Sequence, residues 1–256
     1  MTVWCVLLQK VVSETLNWND VNIMQTFVSS LQSQVRRLGC LLVIGSLLAG
    51  VSTAQAQANK QADDARLGAN GLFALGLYVQ AIGAYTTFLK KWPNDPNAVK
   101  VQYGLGASHF HLKQYDKAEA VMSKVVGNPK CPDKPRSNFI LGQSLLMLRK
   151  PANAEGTFDT GIKALPAPKT PQDVALLANL KEMRLESLFQ QQKWKDVVAA
   201  TAALKGKGGN RSTRVSFQGA FALYQLQQYP ESGAAFIALK PSVKGTKLQQ
   251  QTHFLL

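Results

Sequence analysis

Cysteine, histidine and acidic side chains are scarce in this sequence of 256 residues. Three cysteines, three histidines and 15 acidic residues stand against 29 lysines and arginines, and the formal net charge is +14. So few cysteines cannot build the disulfide framework of a small secreted domain, so packing must hold the fold together. His109 and His111 are two residues apart and would point to different sides of a helix, so they are not spaced to share a metal ion. The cationic excess indicates an anionic partner and carries no information about the fold.

Motifs of the common enzyme classes are also missing. The sequence contains no G-x-S-x-G, no H-E-x-x-H, no G-x-x-x-x-G-K-[ST] and no paired C-x-x-C. Glu182 and Glu186 form a close carboxylate pair on a predicted helix, but without a histidine or third ligand we interpret them as a solvated acidic spot. Segment 205–211 is basic and rich in glycine, yet it lacks phosphate-loop spacing and is interpreted as a linker, and Cys131 is interpreted as a free, exposed thiol. We expect a protein without catalytic activity, cofactor or metal.

An apolar stretch near the amino terminus has the composition of a secretory signal peptide. Arg36 and Arg37 precede 13 mostly apolar residues, 38–50, which are too few for a membrane-spanning helix of about 20 residues. The small-residue run from Ala54 to Ala58 follows and predicts cleavage after Ala56, or alternatively after Ala58. Residues 36–56 are thus predicted to be the signal peptide and its cleavage region, although a buried hydrophobic helix is the alternative interpretation. Residues 1–35 are a long leader or a mis-assigned start, since Met24 would give a normal n-region.

Five segments in the rest of the chain resemble one another. Each contains two apolar stretches with helical periodicity, and proline and glycine cluster between the segments. Sustained strand alternation is absent. The residues predicted to open the second helix of each segment lie 37, 36, 43 and 35 residues apart; they are Tyr78, Tyr115, Pro151, Trp194 and Tyr229.

This pattern resembles the tetratricopeptide repeat, a helix–turn–helix unit of 34 residues. In that family a small residue at position 8 of the first helix meets a small residue at position 20 of the second, and a bulky residue at position 24 fills the gap to the next hairpin. Position 8 is Ala69, Gly106, Gly142, Leu185 and Ala220; position 20 is Ala81, Ala118, Ala154, Val197 and Ser232; position 24 is Tyr85, Met122, Phe158, Thr201 and Phe236. The fourth segment departs from the pattern at all three positions.

The resemblance implies an all-α fold, an α-α superhelix (solenoid) of about five hairpins. It would occupy residues 65–256, preceded by a short linker at 57–64 and by the signal peptide. Residues 250–256 read like the beginning of another first helix, which predicts that the array is truncated within a sixth repeat.

The resemblance also implies a concave groove lined by first-helix positions 2, 5, 9, 12 and 13. Aromatic and cationic side chains alternate at these positions and suit an extended, acidic peptide. Carried over to this sequence, the groove residues are Arg66, Asn70, Phe73, Lys100, Tyr103, Phe110, His111, Arg136, Phe139, Gln143, Met147, Arg214, Phe217, Phe221 and Tyr224.

Two functions are compatible with these features. The first is a non-catalytic protein–protein interaction scaffold in the bacterial periplasm or cell envelope, binding proteins or extended peptides in the groove. The second is a basic module that binds an anionic polymer, such as a wall polysaccharide, lipid headgroups or nucleic acid. The first requires cations in the groove, whereas the second requires them on loops and second helices, where many lysines are predicted to lie.

Overall fold

The structure is a computed structural model that describes residues 57, 59–204, 212–246 and 248–254. The predicted leader, the signal-peptide region and the glycine-rich segment 205–211 lie outside the described residues. Contacts divide the chain into two units, of which Ala62–Leu256 holds the helical array described below.

The described residues are helical and contain no β-strand. The first helix, α1, runs through residues 59–74. The others are α2 (Tyr78–Lys91), α3 (Ala98–His111), α4 (Tyr115–Gly127), α5 (Lys134–Met147), α6 (Pro151–Lys163), α7 (Pro171–Gln190), α8 (Trp194–Ala203), α9 (Thr213–Gln225), α10 (Tyr229–Val243) and α11 (Leu248–Phe254). All five predicted starts of second helices are confirmed to the residue.

The helices pair into five hairpins that stack in series. Repeat one is α1–α2, repeat two α3–α4, repeat three α5–α6, repeat four α7–α8 and repeat five α9–α10; α11 then packs on α10. Each helix contacts the next along the chain, and the first helices α3, α5, α7 and α9 also contact one another across neighbouring repeats. The first helices therefore form the inner layer of the stack and the second helices the outer layer. The predicted serial packing of hairpins is confirmed.

Small residues allow the two helices of a hairpin to cross closely. All the residues predicted at positions 8, 20 and 24 are buried, including those of repeat four. A Cβ atom added to Gly106 would lie 2.5 Å from Met122 Sδ, and one added to Gly142 would clash with the Phe158 ring. A Cβ atom at these two positions would therefore displace the neighbouring side chain.

Each hairpin turns through the same three-residue connection. Its central residue has a positive φ: 75° at Gly76, 58° at Lys113 and Arg149, 59° at Gln192 and 62° at Gln227. In repeat three the N–H of Arg149 donates to Leu146 O at 3.1 Å and that of Lys150 to Leu145 O at 2.9 Å. These two bonds are a Schellman motif, which ends the first helix and reverses the chain.

The described helices include none that is both long and apolar enough to cross a membrane.

Candidate functional site: a groove along the first helices

Two adjoining cavities open on the inner layer of repeats two to five. Their volumes are about 730 and about 330 Å³, and both are lined by Arg149, Glu186 and Gln190. The larger one lies between repeats three, four and five, and the smaller one reaches back to repeat two. The two cavities share these three lining residues and together form one groove.

Three aromatic rings form an apolar wall in the larger cavity. The ring centroids of Phe189, Trp194 and Phe221 lie 5.5, 5.6 and 5.8 Å from one another, each pair being tilted or edge-on. Edge-on packing leaves ring faces available to a further apolar side chain. This aromatic triangle gives the larger cavity an apolar wall beside the polar side chains that also line it.

The smaller cavity is also apolar on one side. Phe110 and Tyr115 lie edge to face, with ring centroids 5.8 Å apart, and Met147 and Met183 complete this side. Flexible methionine side chains adapt to differently shaped ligands.

Glu186 supplies a negative charge in the floor of the groove. Its carboxylate accepts hydrogen bonds from Gln218 Nε2 at 2.7 Å and from Gln190 Nε2 at 2.9 Å, and Arg214 Nη1 lies 3.6 Å away. The prediction of a solvated acidic spot is therefore wrong for Glu186, since its carboxylate joins α7 to α9. Glu182 is half-buried and accepts a hydrogen bond from Ser212 Oγ at 3.2 Å.

Arg149 is the uncompensated cation of the groove. It lines both cavities, its side chain is exposed, and within the described part of the chain it has no ion pair. The neighbouring Lys150 is instead held by Glu119 of the preceding repeat, with Nζ 2.8 Å from the carboxylate. A ligand carboxylate can therefore pair with Arg149 without displacing a contact of the protein.

The structure brings some of the predicted groove residues together. Phe110, Gln143, Met147, Arg214 and Phe221 line the two cavities. Phe221 contacts Tyr224, with ring centroids 6.4 Å apart, so the aromatic wall continues beyond the cavity.

The predicted residues of repeat one lie elsewhere and have partners within the repeats. Arg66 forms an ion pair with Asp63 at 3.0 Å, and Asn70 Oδ1 accepts a hydrogen bond from Tyr85 OH at 2.9 Å. Phe73 packs edge-on against Tyr78.

Other predicted groove residues serve packing or lie apart from the cavities. Phe217 is only 8% exposed and packs in the core of repeat five against Phe236, so it is not available to a ligand. Phe139 and Tyr103 are partly buried against the central core, whereas Lys100 is exposed.

Arg136 and Tyr103 share an electrostatic environment at the start of α5. Arg136 Nε lies 3.3 Å from the Asp133 carboxylate. Burial raises the pKa of Tyr103 to about 12, and the negative charge of Asp133 adds to this effect.

Sequence reasoning missed the groove residues of repeat four and of the turns. Glu186, Phe189 and Gln190 are at first-helix positions 9, 12 and 13, which the register set by Leu185 would have predicted. Arg149 and Trp194 belong to a turn and to the start of a second helix, which the groove positions of the family do not include.

The isolated histidines and cysteine are structural. His109 is buried and its Nδ1 lies 2.7 Å from Gln114 Oε1, whereas the exposed His111 stacks on Tyr78 with ring centroids 4.5 Å apart. Cys131 is half-buried and its thiol donates to Ser137 Oγ at 3.4 Å, so the prediction of an exposed thiol is wrong. Within the described ranges no cluster of three potential metal ligands is found.

Comparison with known proteins identifies the repeat. Residues 66–135 match the family model described as tetratricopeptide repeat. No curated protein matches the chain.

The fold resembles the nearly identical TPR-like repeats of a Podosopora anserina protein described as a kinesin light chain. That structure has a TM-score of 0.54 and an identity of 11%, and the match covers 74% of this chain and 98% of the other. A single-residue variant of the same protein has a TM-score of 0.53 and an identity of 11%, with 75% and 97% covered. A Pseudomonas aeruginosa protein, pilF, is 14% identical with a TM-score of 0.49, covering 77% of this chain and 98% of its own. At such identities the likeness concerns the fold alone.

Tetratricopeptide repeats generally mediate protein–protein interaction, and proteins of this fold are generally non-catalytic scaffolds. The family match places the tetratricopeptide repeat at residues 66–135, and the described hairpins after it continue the same serial packing.

Proposed function

We propose that this protein is a non-catalytic scaffold that captures an extended segment of a partner protein in the groove of repeats two to five. The observation that carries the proposal is the aromatic triangle of Phe189, Trp194 and Phe221 beside the unpaired cation Arg149. A ligand with an apolar side chain next to a carboxylate would contact both the aromatic triangle and Arg149.

The polar side chains that line the groove favour a ligand with an extended peptide backbone. Gln143, Gln190, Gln192 and Gln225 line the two cavities along repeats three to five. An amide side chain offers both donors and an acceptor, as an extended peptide does at each residue. The groove would therefore hold the ligand backbone by its amides, an anchor side chain by the aromatic triangle, and an acidic side chain by Arg149.

Trp194 gives this proposal a direct readout. We expect acidic peptides with one aromatic or large aliphatic residue to change the fluorescence of the full chain. The change should persist in Trp92→Phe, which lies outside the groove, and disappear in Trp194→Phe. A change that survives in Trp194→Phe would locate binding elsewhere.

A matched pair of substitutions in repeat five tests the anchor pocket. Phe221→Ala removes one side of the aromatic triangle and should weaken binding at least tenfold, because a central buried aromatic contact typically contributes about 2 kcal/mol or more. Ile237→Ala removes an exposed apolar side chain from the second helix of the same repeat and should leave the affinity unchanged. Equal effects of the two variants would contradict a groove site.

Export to the periplasm or cell envelope is the second part of the proposal. Its support is the charged, apolar and small-residue order of residues 36–56. Amino-terminal sequencing of the protein from the periplasmic fraction should yield a chain that begins at Gln57 or Asn59. A full-length chain in the cytoplasmic fraction would contradict this part alone.

A second candidate function is binding of an anionic polymer by lysines that do not line the groove. Exposed lysines that form no ion pair within the described residues favour it; they are Lys113, Lys117, Lys124, Lys130, Lys134 and Lys195. With polyphosphate as the probe, affinity should fall steeply with salt and the slope should decrease in the double variant Lys117→Gln, Lys124→Gln. Arg149→Gln, in the groove, should leave that slope unchanged, and a salt-independent affinity would exclude the polymer.

A further inference from the structure

The first hairpin leaves one side of α1 exposed. In repeats two to five, one side of the first helix packs against the preceding hairpin. We call this side of the first helix, and the equivalent side of α1, the leading face of the repeat. On the leading face of repeat one Leu67 is 58% and Leu75 76% exposed. Residues at the same two positions of the later repeats are buried or half-buried. The apolar side chains of repeat one therefore occupy positions that are otherwise covered.

Gly71 marks the centre of this face. Its counterparts in the four later repeats are small residues without any exposed surface, namely Ser108, Ser144, Ser187 and Ala222. A Cβ atom added to Gly71 would meet no other atom within 4 Å. At Gly71, α1 therefore has the small residue that is typical of a helix-packing site. Open space lies above it, where the later repeats have a packed helix.

The later repeats show what fits against such a face. It is the second helix of the preceding hairpin, whose position-24 side chain reaches the next first helix between repeats one and two and between repeats four and five. Tyr85 inserts so closely that a Cβ atom on Gly104, the counterpart of Leu67, would lie 2.5 Å from its ring, and Thr201 lies against Gly219, one position further along its helix. An amphipathic helix is therefore the complement of a leading face.

Charge distinguishes the leading face of repeat one from the others. Asp64 is exposed and has no ion pair within the described residues, whereas its counterparts Val101, Ser137, Leu180 and Val215 are at most 1% exposed. A helix that covered Asp64 without a cation would leave a carboxylate unpaired, which is costly. The occupant must therefore carry a lysine or arginine beside its apolar side chain.

We propose that the leading face of repeat one docks an amphipathic helix of a partner protein. The helix continues the stack of hairpins, packs closely over Gly71 between Leu67 and Leu75, and pairs a lysine or arginine with Asp64. This surface is separate from the groove of repeats two to five, so its failure would leave the groove proposal intact.

A photo-crosslinking amino acid at Leu75 tests the proposal in the full chain, in the cells that produce it. The crosslinked peptide is sequenced by mass spectrometry. We expect a segment of another protein with helical apolar periodicity and a basic residue. Two variants accompany the experiment: Gly71→Leu blocks close approach, and Gly71→Ala reproduces the residue found at Ala222 under a packed helix.

Both variants replace a helical glycine facing open space, so both should raise the melting temperature of the isolated chain. The crosslink should be retained in Gly71→Ala and fall at least tenfold in Gly71→Leu. A crosslink to residues 1–56 of the same chain, to a second copy or to a segment without this pattern would overturn the proposal. So would the absence of a product, or a product that Gly71→Leu leaves unchanged.

Discussion

Glu155 of repeat three accepts a hydrogen bond from Lys193 Nζ of repeat four at 2.8 Å. The same contact joins repeats two and three, where Lys150 Nζ lies 2.8 Å from the Glu119 carboxylate. In both cases the acid follows the position-20 alanine of one hairpin, and the lysine precedes the second helix of the next. Each pair thus links the second helix of one hairpin to the turn of the next.

The Glu155 pair predicts a loss of stability in acid. Burial raises the pKa of Glu155, but hydrogen bonds from Lys193 and Gln191 and the charges of Lys193 and Arg184 outweigh burial, so the net pKa is lowered. A carboxyl with a lowered folded-state pKa stabilises the fold above its unfolded-state pKa, and this contribution is lost as the pH falls through the folded-state pKa. Glu155→Gln should therefore cost about 1 kcal/mol at neutral pH, and this cost should shrink as the pH falls through the lowered folded-state pKa.

Melting temperatures of the two chains between neutral pH and about pH 3 measure this effect. Glu231→Gln is the control, because Glu231 is exposed and has no ion pair within the described residues. If the gap between wild type and Glu155→Gln stayed constant with pH, the ion pair would not be its cause.

The positive-φ turns predict a stabilising substitution. Gln227 has a φ of 62°, whereas its neighbour Gln228 has a φ of −84°. A residue with a Cβ atom in the left-handed region costs roughly 1–2 kcal/mol, which glycine avoids. Gln227→Gly should raise stability by about 0.5–1 kcal/mol after the entropy of a more flexible unfolded chain is subtracted. Gln228→Gly has only that entropic cost and should lower the melting temperature, so two effects of the same sign would contradict the turn geometry.

The fold could be predicted because its determinants are local and repeated. Small residues at paired helix positions and an aromatic or proline at each second-helix start recur about every three dozen residues. Even repeat four, with Leu185 and Val197 at the crossing, has its second helix at the predicted residue. Larger residues at that crossing change the helix contact and leave the topology unchanged.

The groove could be predicted only in part, because the position of a residue in the repeat does not determine whether its side chain is buried or reaches the groove. Phe217 and Phe221 are one helical turn apart and the repeat pattern predicts both in the groove, yet Phe217 is buried against Phe236. Arg149 lines the groove from a turn in which its φ is 58°, a conformation that the helical periodicity of the sequence does not predict. Such orientations depend on contacts between repeats.

Two glycines of repeat three should respond to alanine in opposite directions. At Gly142 a Cβ atom would overlap the buried Phe158 ring, whereas at Gly156 it would meet no atom within 4 Å. Gly142→Ala should therefore destabilise the fold by about 1–3 kcal/mol through overpacking. Gly156→Ala should stabilise it by up to about 1 kcal/mol through helix propensity. Chemical denaturation compares the two variants, and a stabilised Gly142→Ala would show that the crossing is looser than described.

Tyr103 should limit stability in alkali. Burial raises its pKa to about 12, with Asp133 and Cys131 adding to the effect and Arg136 opposing it, whereas an unfolded tyrosine ionises near pH 10. Between these two values the unfolded chain releases the phenolic proton more readily, so the folded state loses about 1 kcal/mol by about pH 11. Tyr103→Phe removes this proton and should lose less stability than the wild type between about pH 8 and pH 11. In an absorbance titration of the folded protein, the tyrosine step at the highest pH should be absent from this variant. Identical stability profiles of the two proteins would mean that Tyr103 ionises as readily in the folded chain as in the unfolded one.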